Sequence, residues 1–474
     1  MKMYTIHNFP FKIFKRFRYV PKSKKDKKYV NVCCTFDIET TTIKEKEQSF
    51  MYIWSFSIDG EYWITGRTWE EFFYLLMKIK SYSRKKDVYV IYVHNLSFEF
   101  DFLAGIYDFQ RDEVFCIETH KILKCSMYNQ FEFRCSYLLT QKKLSKFLQD
   151  EGVPEKYQKS GFFDYDKIRF HDSRLKKYEL IYCRNDVVGL ALAVKKYISD
   201  RGYDLRTTPL TATGFLRVDH RQKMREVLHQ SYFTQRHDDK EILQYLHLAF
   251  RGGNTHANAR YIGDILHDVY SYDIKSSYPA ALYNGYYPLE KFKPVHHKLA
   301  LNKLNDNHAY LMYIELSDVR LKDIFEPIPY IPLSKCVSIS KDYILDNGRI
   351  REASKLSMWL TEIDMQIIND QYEYDTEKSS IIKAYGAKKE RLPDVYREYV
   401  YNTFKQKETL EKDTLEYRIF KAFLNAIYGN CVMYPLKYNT IFEDGSFFTK
   451  SGMTMKNTSK RVLIYIKLVC GVPP

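Results

Sequence analysis

Val30-Asn31-Val32-Cys33-Cys34-Thr35-Phe36 runs directly into Asp37-Ile38-Glu39. The first seven residues are mostly apolar and β-branched, and they predict a strand. Side chains two apart on a strand share a face, so Asp37 and Glu39 point the same way. Two carboxylates so placed repel each other unless cations neutralise them. Hard divalent metals take such oxygen ligands. A strand-end turn with no further role would also read D-x-E, so the pair gains meaning only from its surroundings.

Those surroundings alternate strand and helix signals. A second strand is expected from Met51 to Ile58, a turn at Asp59-Gly60, and a return strand over Glu61-Tyr62-Trp63-Ile64. An amphipathic helix is expected from Thr68 to Ser81, and Val88–Val93 reads as a buried strand. This alternation implies an α/β layered domain. Polar groups follow the 88–93 strand, in His94-Asn95-Leu96-Ser97-Phe98-Glu99-Phe100-Asp101, at the strand mouth where α/β sheets hold ligands. Residues 174–200 read as helical and contain Tyr182-Cys183-Arg184-Asn185-Asp186; Tyr182 and Asp186 are i and i+4, on one face.

Composition bounds the rest. A chain of 474 residues is expected to form two to four domains. Its 45% apolar and 28% charged residues argue against disorder, and no apolar run reaches the roughly 18 residues of a membrane span. The N-terminus has no secretory-signal pattern. Lys+Arg outnumber Asp+Glu 74 to 59, a net +15, which favours a polyanionic partner. The 42 Tyr and 31 Phe would suit base stacking, although A/T-rich coding would inflate the same residues. Nine cysteines, an odd number without C-x-x-C, fit a reducing compartment rather than a disulfide or zinc framework. Residues 12–28 carry nine basic side chains against Asp26 and read as a basic arm or a strand and loop, touching phosphates or solvated.

In order, Phe36-Asp37-Ile38-Glu39-Thr40, His94–Glu99 and Tyr182–Asp186 resemble the three exonuclease motifs of proofreading DNA polymerases. The resemblance implies an RNase H-like fold and two-metal phosphodiester hydrolysis, with Mg²⁺ or Mn²⁺ held by Asp37, Glu39, Glu99 and Asp186. Tyr182 would orient water, and His94, Asn95 and Phe98 would contact DNA. The family normally has Asp where this chain has Glu99, and Asp101 is the alternative. Residues two apart on a helix differ by about 200°, so only one can face the site; the reading favours Glu99. Lys159 resembles a lysine that the protein-primed branch places near the scissile phosphate, and it reads equally well as a solvated lysine. Ser136-Tyr137-Leu138 is a weaker match to a single-strand contact.

Tyr272-Asp273-Ile274-Lys275-Ser276-Ser277-Tyr278-Pro279, after an expected strand Val269–Tyr272, resembles motif A of family B polymerases, with Ser277 in place of Leu. The resemblance implies metal binding by Asp273 and nucleotide contacts from Ser276, Ser277 and Tyr278. Lys421-Ala422-Phe423-Leu424-Asn425-Ala426-Ile427-Tyr428-Gly429 resembles motif B, with Lys421, Asn425 and Tyr428 on one stripe of a helix expected over 404–428. Phe250-Arg251-Gly252-Gly253 is similar to the Y-x-G-G template contact of the protein-primed branch.

The fold expected is therefore α/β and α+β, an RNase H-like 3′→5′ exonuclease domain followed by a partial family B palm and fingers. The boundaries expected are a basic arm over 1–30, the exonuclease domain over 31–202, a mostly helical linking region with the FRGG motif over 203–265, and palm and fingers over 266–474. After Asn430 the acids are Glu443 and Asp444, and no D-T-D motif C follows. The expectation is a truncated, fragmentary or split polymerase that does not polymerise alone. The partners expected are DNA, dNTPs, a terminal-protein primer contacting the segment between motifs A and B, and a second chain carrying motif C. No membrane partner is expected. The location expected is the host cytoplasm, in viral or plasmid replication. The alternative is an exonuclease without polymerisation, or a non-catalytic DNA-binding or priming component.

Overall fold

The computed structural model describes residues 2–21, 26–43, 47–158, 164, 166–218, 239–296, 299–301, 304–305, 307–325, 328–412, 414–431 and 437–454. They belong to two compact units, Met1–Phe215 with Tyr438–Met453 and Leu216–Lys437 with Thr454–Pro474.

The first unit is built on β1 (Lys28–Ile43), β2 (Gln48–Ile58), β3 (Tyr62–Gly66), β4 (Asp87–Val93), β5 (Val114–Glu118), β6 (Lys121–Met127) and β7 (Phe131–Cys135). With the short strand Met3–Tyr4 they form one sheet, in the order Met3–Tyr4, β3, β2, β1, β4, β7, β6, β5. β1 runs antiparallel to β2 and parallel to β4, which is parallel to β7. Antiparallel strands continuing into parallel ones, with helices against the faces, make the RNase H-like arrangement. Ile58 pairs with Tyr62 across a three-residue β2–β3 loop, in which Asp59 and Gly60 are left-handed at φ 59° and 73°, a conformation that aspartate and glycine tolerate.

Helix α1 (Trp69–Ser81) starts on a capping box, with Thr68 accepting from the Glu71 amide. α2 (Leu96–Ala104) follows β4, and α3 (Lys177–Ser199) packs on β1 and β2. α3 is buried over most of its length. Gly189 suits this, since a Cβ there would lie 2.5 Å from the Tyr157 carbonyl oxygen.

The N-terminal basic stretch is not a free arm. Phe9, Phe11 and Phe14 alternate with its first lysines and bury in the sheet's core, and Tyr19 bridges to Val30. The charge pattern hid these anchors. The first unit also contains a hairpin, Lys437–Glu443 and Ser446–Thr454, which the sequence reading left with the palm and fingers. Two strands alone are marginal in water; Phe442 meets Phe100 of α2 edge-on, Phe447 packs on the same ring at a tilt, and the Cys116 thiol donates to the Thr440 carbonyl.

The second unit contains α4 (Lys240–Ala249), α5 (Ser277–Asn284), β8 (His308–Leu321), β9 (Arg349–Thr361), α6 (Glu362–Gln371), β10 (Ser380–Arg391), α7 (Asp394–Thr409) and α8 (Leu415–Cys431). β8 lies between β9 and β10, antiparallel to both, so the segment between motifs A and B is largely a sheet. α5, α7 and α8 close on a core of Leu282, Tyr396, Val400, Leu424 and Ile427.

Two expectations fail here. The motif A strand Val269–Tyr272 does not form: no described strand pairs with it, and Tyr270 and Tyr272 are 80% and 92% exposed. β-propensity without a neighbouring strand does not hold a strand. The helix expected over 404–428 is two helices, because Leu410 turns extended and Thr414 starts α8 by accepting from the Tyr417 amide. In 203–262, the described residues are helical at 212–218, in α4 and in one 3-10 turn, while 219–238 lie outside the described residues. Among the described residues no helix is long and apolar enough to cross a membrane.

Candidate active site

In the first unit three carboxylates from distant parts of the chain meet. One oxygen each from Asp37, Glu39 and Asp186 lies within 4.8 Å of the others. β1 supplies the first two from one face, in register with Ser55 and Ile53 of β2, and the ladder shifts just after Glu39. α3 supplies Asp186. Thr35 Oγ1 donates to the Val187 carbonyl at 2.7 Å, joining the two elements beside the cluster.

Glu99 lies near this group, close enough for the charges of Asp37 and Glu39 to act on its carboxyl. On α2 the buried positions are Leu96, Glu99, Phe100 and Leu103, an i, i+3, i+4, i+7 stripe that carries the carboxylate inward with the apolar residues. Burial, then Asp37, then Glu39 push its carboxyl well above the usual range. Its Oε2 is buried without a hydrogen-bond partner among the described residues. Asp101 does not join the cluster; it is exposed and faces His120 at 3.6 Å. Asn95 opens α2 at φ 74°, a left-handed turn that asparagine tolerates.

His94 Nδ1 is 3.1 Å from Ser136 Oγ, and its ring meets Tyr137 edge-on. Phe98, one position before Glu99, is 44% exposed. Tyr182 is buried one helical turn before Asp186. Lys159 lies outside the described residues. The backbone just before it is held by α3: Asn185 donates to the Gln158 carbonyl and Arg184 to that of Lys156. Sequence reasoning missed Cys183, whose thiol is pushed well up by burial, then by Glu39, Asp37 and Asp186. It also missed the buried pair Arg169–Glu179, which fixes the chain after Asp164 against α3 at 2.6 Å.

A second site lies in the second unit. Asp273, Ser276, Ser277, Tyr278, Lys421 and Asn425 line one cleft of about 630 Å³. Ser276, left-handed at φ 53°, opens α5. Lys421 and Asn425 are one turn apart on α8; Tyr428 is on the same helix, but its side chain is outside the described set. The cleft also takes Lys275, Lys407, Glu408, Lys412 and Tyr417, which motif reading did not single out. Lys407 carried a signal. Tyr396, Val400, Thr403 and Lys407 are the buried residues of α7, so a lysine completes an apolar stripe.

The FRGG residues behave differently from one another. Phe250 ends α4 and is half-buried. Arg251 turns inward, with Nε 3.1 Å from the fully buried Asp364 and its guanidinium over Tyr330. It anchors the loop and is not presented to a phosphate. Gly252 and Gly253 are exposed, with open space where a Cβ would be.

A family model described as DNA polymerase type B, organellar and viral, matches residues 149–464. The chain is 24% identical over 300 residues to the DNA polymerase of Bacillus phage B103, covering 62% of this chain and 48% of that protein. It is 22% identical over 420 residues to the DNA polymerase of Bacillus phage phi29, covering 84% and 67%. The chain thus spans about half the length of the first of these relatives. The solved structure of phi29 DNA polymerase complexed with primer-template DNA and incoming nucleotide matches with a TM-score of 0.63 at 16% identity, over 92% of this chain and 74% of that one. That likeness supports the fold.

Proposed function

Because the chain belongs to the type B DNA polymerases of organellar and viral kind, we propose that it joins a 3′→5′ exonuclease centre to a nucleotide-binding polymerase cleft. It would act in the host cytoplasm in viral or plasmid DNA replication. The observation that carries this reading is the meeting of Asp37, Glu39 and Asp186 within 4.8 Å, with Glu99 buried beside them.

The donor set fits hard divalent cations. It is made of carboxylate oxygens alone, and such a crowd of like charge needs a counter-cation. The unpartnered, buried Oε2 of Glu99 points to the same requirement. Asp37, Glu39, Glu99 and Asp186 would hold Mg²⁺ or Mn²⁺, which supplies Lewis acidity and lowers the pKa of bound water for phosphodiester hydrolysis. The chain's own side chains do the positioning. Phe98 offers a face for a terminal base to stack on, with His94 and Asn95 beside it. The Tyr182 phenol orients water near Asp186. Lys159 offsets negative charge on the scissile phosphate.

In the second unit, Asp273 would hold metal while Ser276, Ser277, Tyr278, Lys421, Asn425 and Tyr428 receive a dNTP. Phe250, Gly252 and Gly253 would guide template, with Arg251 as their anchor. The β8–β10 sheet would meet a terminal protein. Sequence regions 31–202 and 266–431 are the proposed exonuclease and palm-fingers segments.

The test is Mg²⁺-dependent shortening of 5′-labelled single-stranded DNA by the full chain. Activity lost in a Asp37→Ala/Glu39→Ala variant supports the assignment, and equal degradation by that variant refutes it. A second reading, hydrolysis without polymerisation, draws on the cleft. Its acids among the described residues are Asp273 and Glu408, and Glu408 is engaged by lysines. A second carboxylate-bearing chain would then be the missing partner. Primer extension with dNTPs by the pure chain decides between the two readings.

A further inference from the structure

In the cleft of the second unit one carboxylate, that of Glu408, is held by two lysines. Lys407 is only 9% exposed, and its Nζ reaches Ser276 Oγ at 3.3 Å and Glu408 Oε1 at 2.7 Å. Lys275 pairs with the other oxygen, Glu408 Oε2. Each oxygen of one carboxylate is therefore held by a different lysine. Both lysines line the cleft, and Lys412 and Lys421 add two more cations. Lys275, then Lys407, bring the Glu408 carboxyl down to about 2, so it stays ionised at any working pH.

Two ammonium groups sharing one multi-oxygen anion is how a phosphate is bound. We propose that Glu408 is an internal stand-in for a phosphate of an incoming nucleoside triphosphate, and that the triphosphate displaces it from Lys275 and Lys407. This rests on reading the cleft as a nucleotide site. Glu408 keeps the two lysines paired in the empty cleft. A ligand reaching both lysines must break two ion pairs first, while one stopping short breaks neither. Glu408 thus sets affinity for long polyphosphates and leaves monophosphates alone. It is a positioning residue, acting through the two lysines.

The experiment is equilibrium titration of the full chain with dATP and with dAMP, with and without Mg²⁺. Glu408→Gln is compared with wild type and with Glu411→Gln, which removes the same charge three residues on, beyond the end of α7. Glu408→Gln should tighten dATP about three- to tenfold, the scale of two exposed ion pairs. It should leave dAMP unchanged, and Glu411→Gln should change neither. Adding Lys275→Met to Glu408→Gln should cancel the gain. Unchanged dATP affinity in Glu408→Gln overturns the inference, as does an equal gain for dAMP or an equal gain from Glu411→Gln. If dATP binds none of these proteins, the reading of the cleft falls, and the inference with it.

Discussion

Thr35 Oγ1 donates to the main-chain carbonyl of Val187 across 2.7 Å, and it does so in a wholly buried position. Thr35 stands two residues before Asp37, and Val187 one residue after Asp186. One hydrogen bond therefore fixes the spacing of strand and helix where their carboxylates meet. Thr35→Val keeps the shape and removes the donor, leaving a buried carbonyl unpaired. We expect a loss of about 1–3 kcal/mol in urea unfolding. Misplacement on the order of 1 Å costs about 100-fold in rate, so single-strand hydrolysis should fall by more than tenfold. Unchanged turnover would show that the bond serves stability alone.

Glu99 and Asp101 separate cleanly by substitution. Glu99→Gln should cut DNA hydrolysis by about 100-fold or more and abolish the rise in melting temperature that Mn²⁺ gives the wild type. Asp101→Asn alters an exposed side chain facing His120 and should leave both within twofold. Assays of the two variants side by side, with melting curves in chelator and in Mn²⁺, measure this.

Acid sensitivity of the first unit should trace in part to Glu132. Burial alone would raise its carboxyl, but Arg134 and Lys124 outweigh burial and hold it below the ordinary 4.5. A depressed carboxyl contributes stability above its unfolded value and loses it as pH falls through the folded one. Wild-type stability should thus drop as pH falls below the ordinary carboxyl value and through the lower folded one. Glu132→Gln leaves Arg134, at 5% side-chain exposure, without its partner. The cost at neutral pH should be about 3–5 kcal/mol, with a flatter acid limb. Denaturant melts across that range read both effects.

The hairpin of residues 437–454 depends on two rings. Phe442 is 3% exposed and meets Phe100 edge-on at 5.1 Å. Phe442→Ala should cost about 3 kcal/mol at that contact. Amide exchange should quicken through 438–453 while β1, β2 and β4 keep their protection. Uniform loss across the sheet would contradict such local detachment.

Sequence and structure agree where local chemistry decides. The strand bearing Asp37 and Glu39 reads from its β-branched run, and the Asp59-Gly60 and Asp444-Gly445 turns read from residues that accept positive φ. Glu99 faces inward with Leu96, Phe100 and Leu103 while Asp101 stays exposed, and that apolar stripe is legible in the sequence, although the reading of Glu99 rests on its motif position. Legibility ends where a partner element decides. Val269–Tyr272 has strand composition and no strand beside it. Arg251 looks like a phosphate contact until Asp364, far along the chain, claims it. Glu408 looks like an ordinary helix acid until Lys275 reaches it. Phe442-Glu443-Asp444-Gly445 announces a turn and gives no hint that its rings belong with Phe100.

That last pairing governs how the protein is made. Phe100 leaves the ribosome early, yet the rings that cover it emerge only after α8 has been translated. Until then the nascent chain must carry an uncovered aromatic face on α2, next to Glu99. Closing so long a loop is entropically slow, so final consolidation of the first unit should lag behind synthesis. A shortened gene ending at codon 215 would yield a protein in which Phe100 keeps Phe109 but loses its cover from Phe442 and Phe447, leaving an apolar patch prone to self-association.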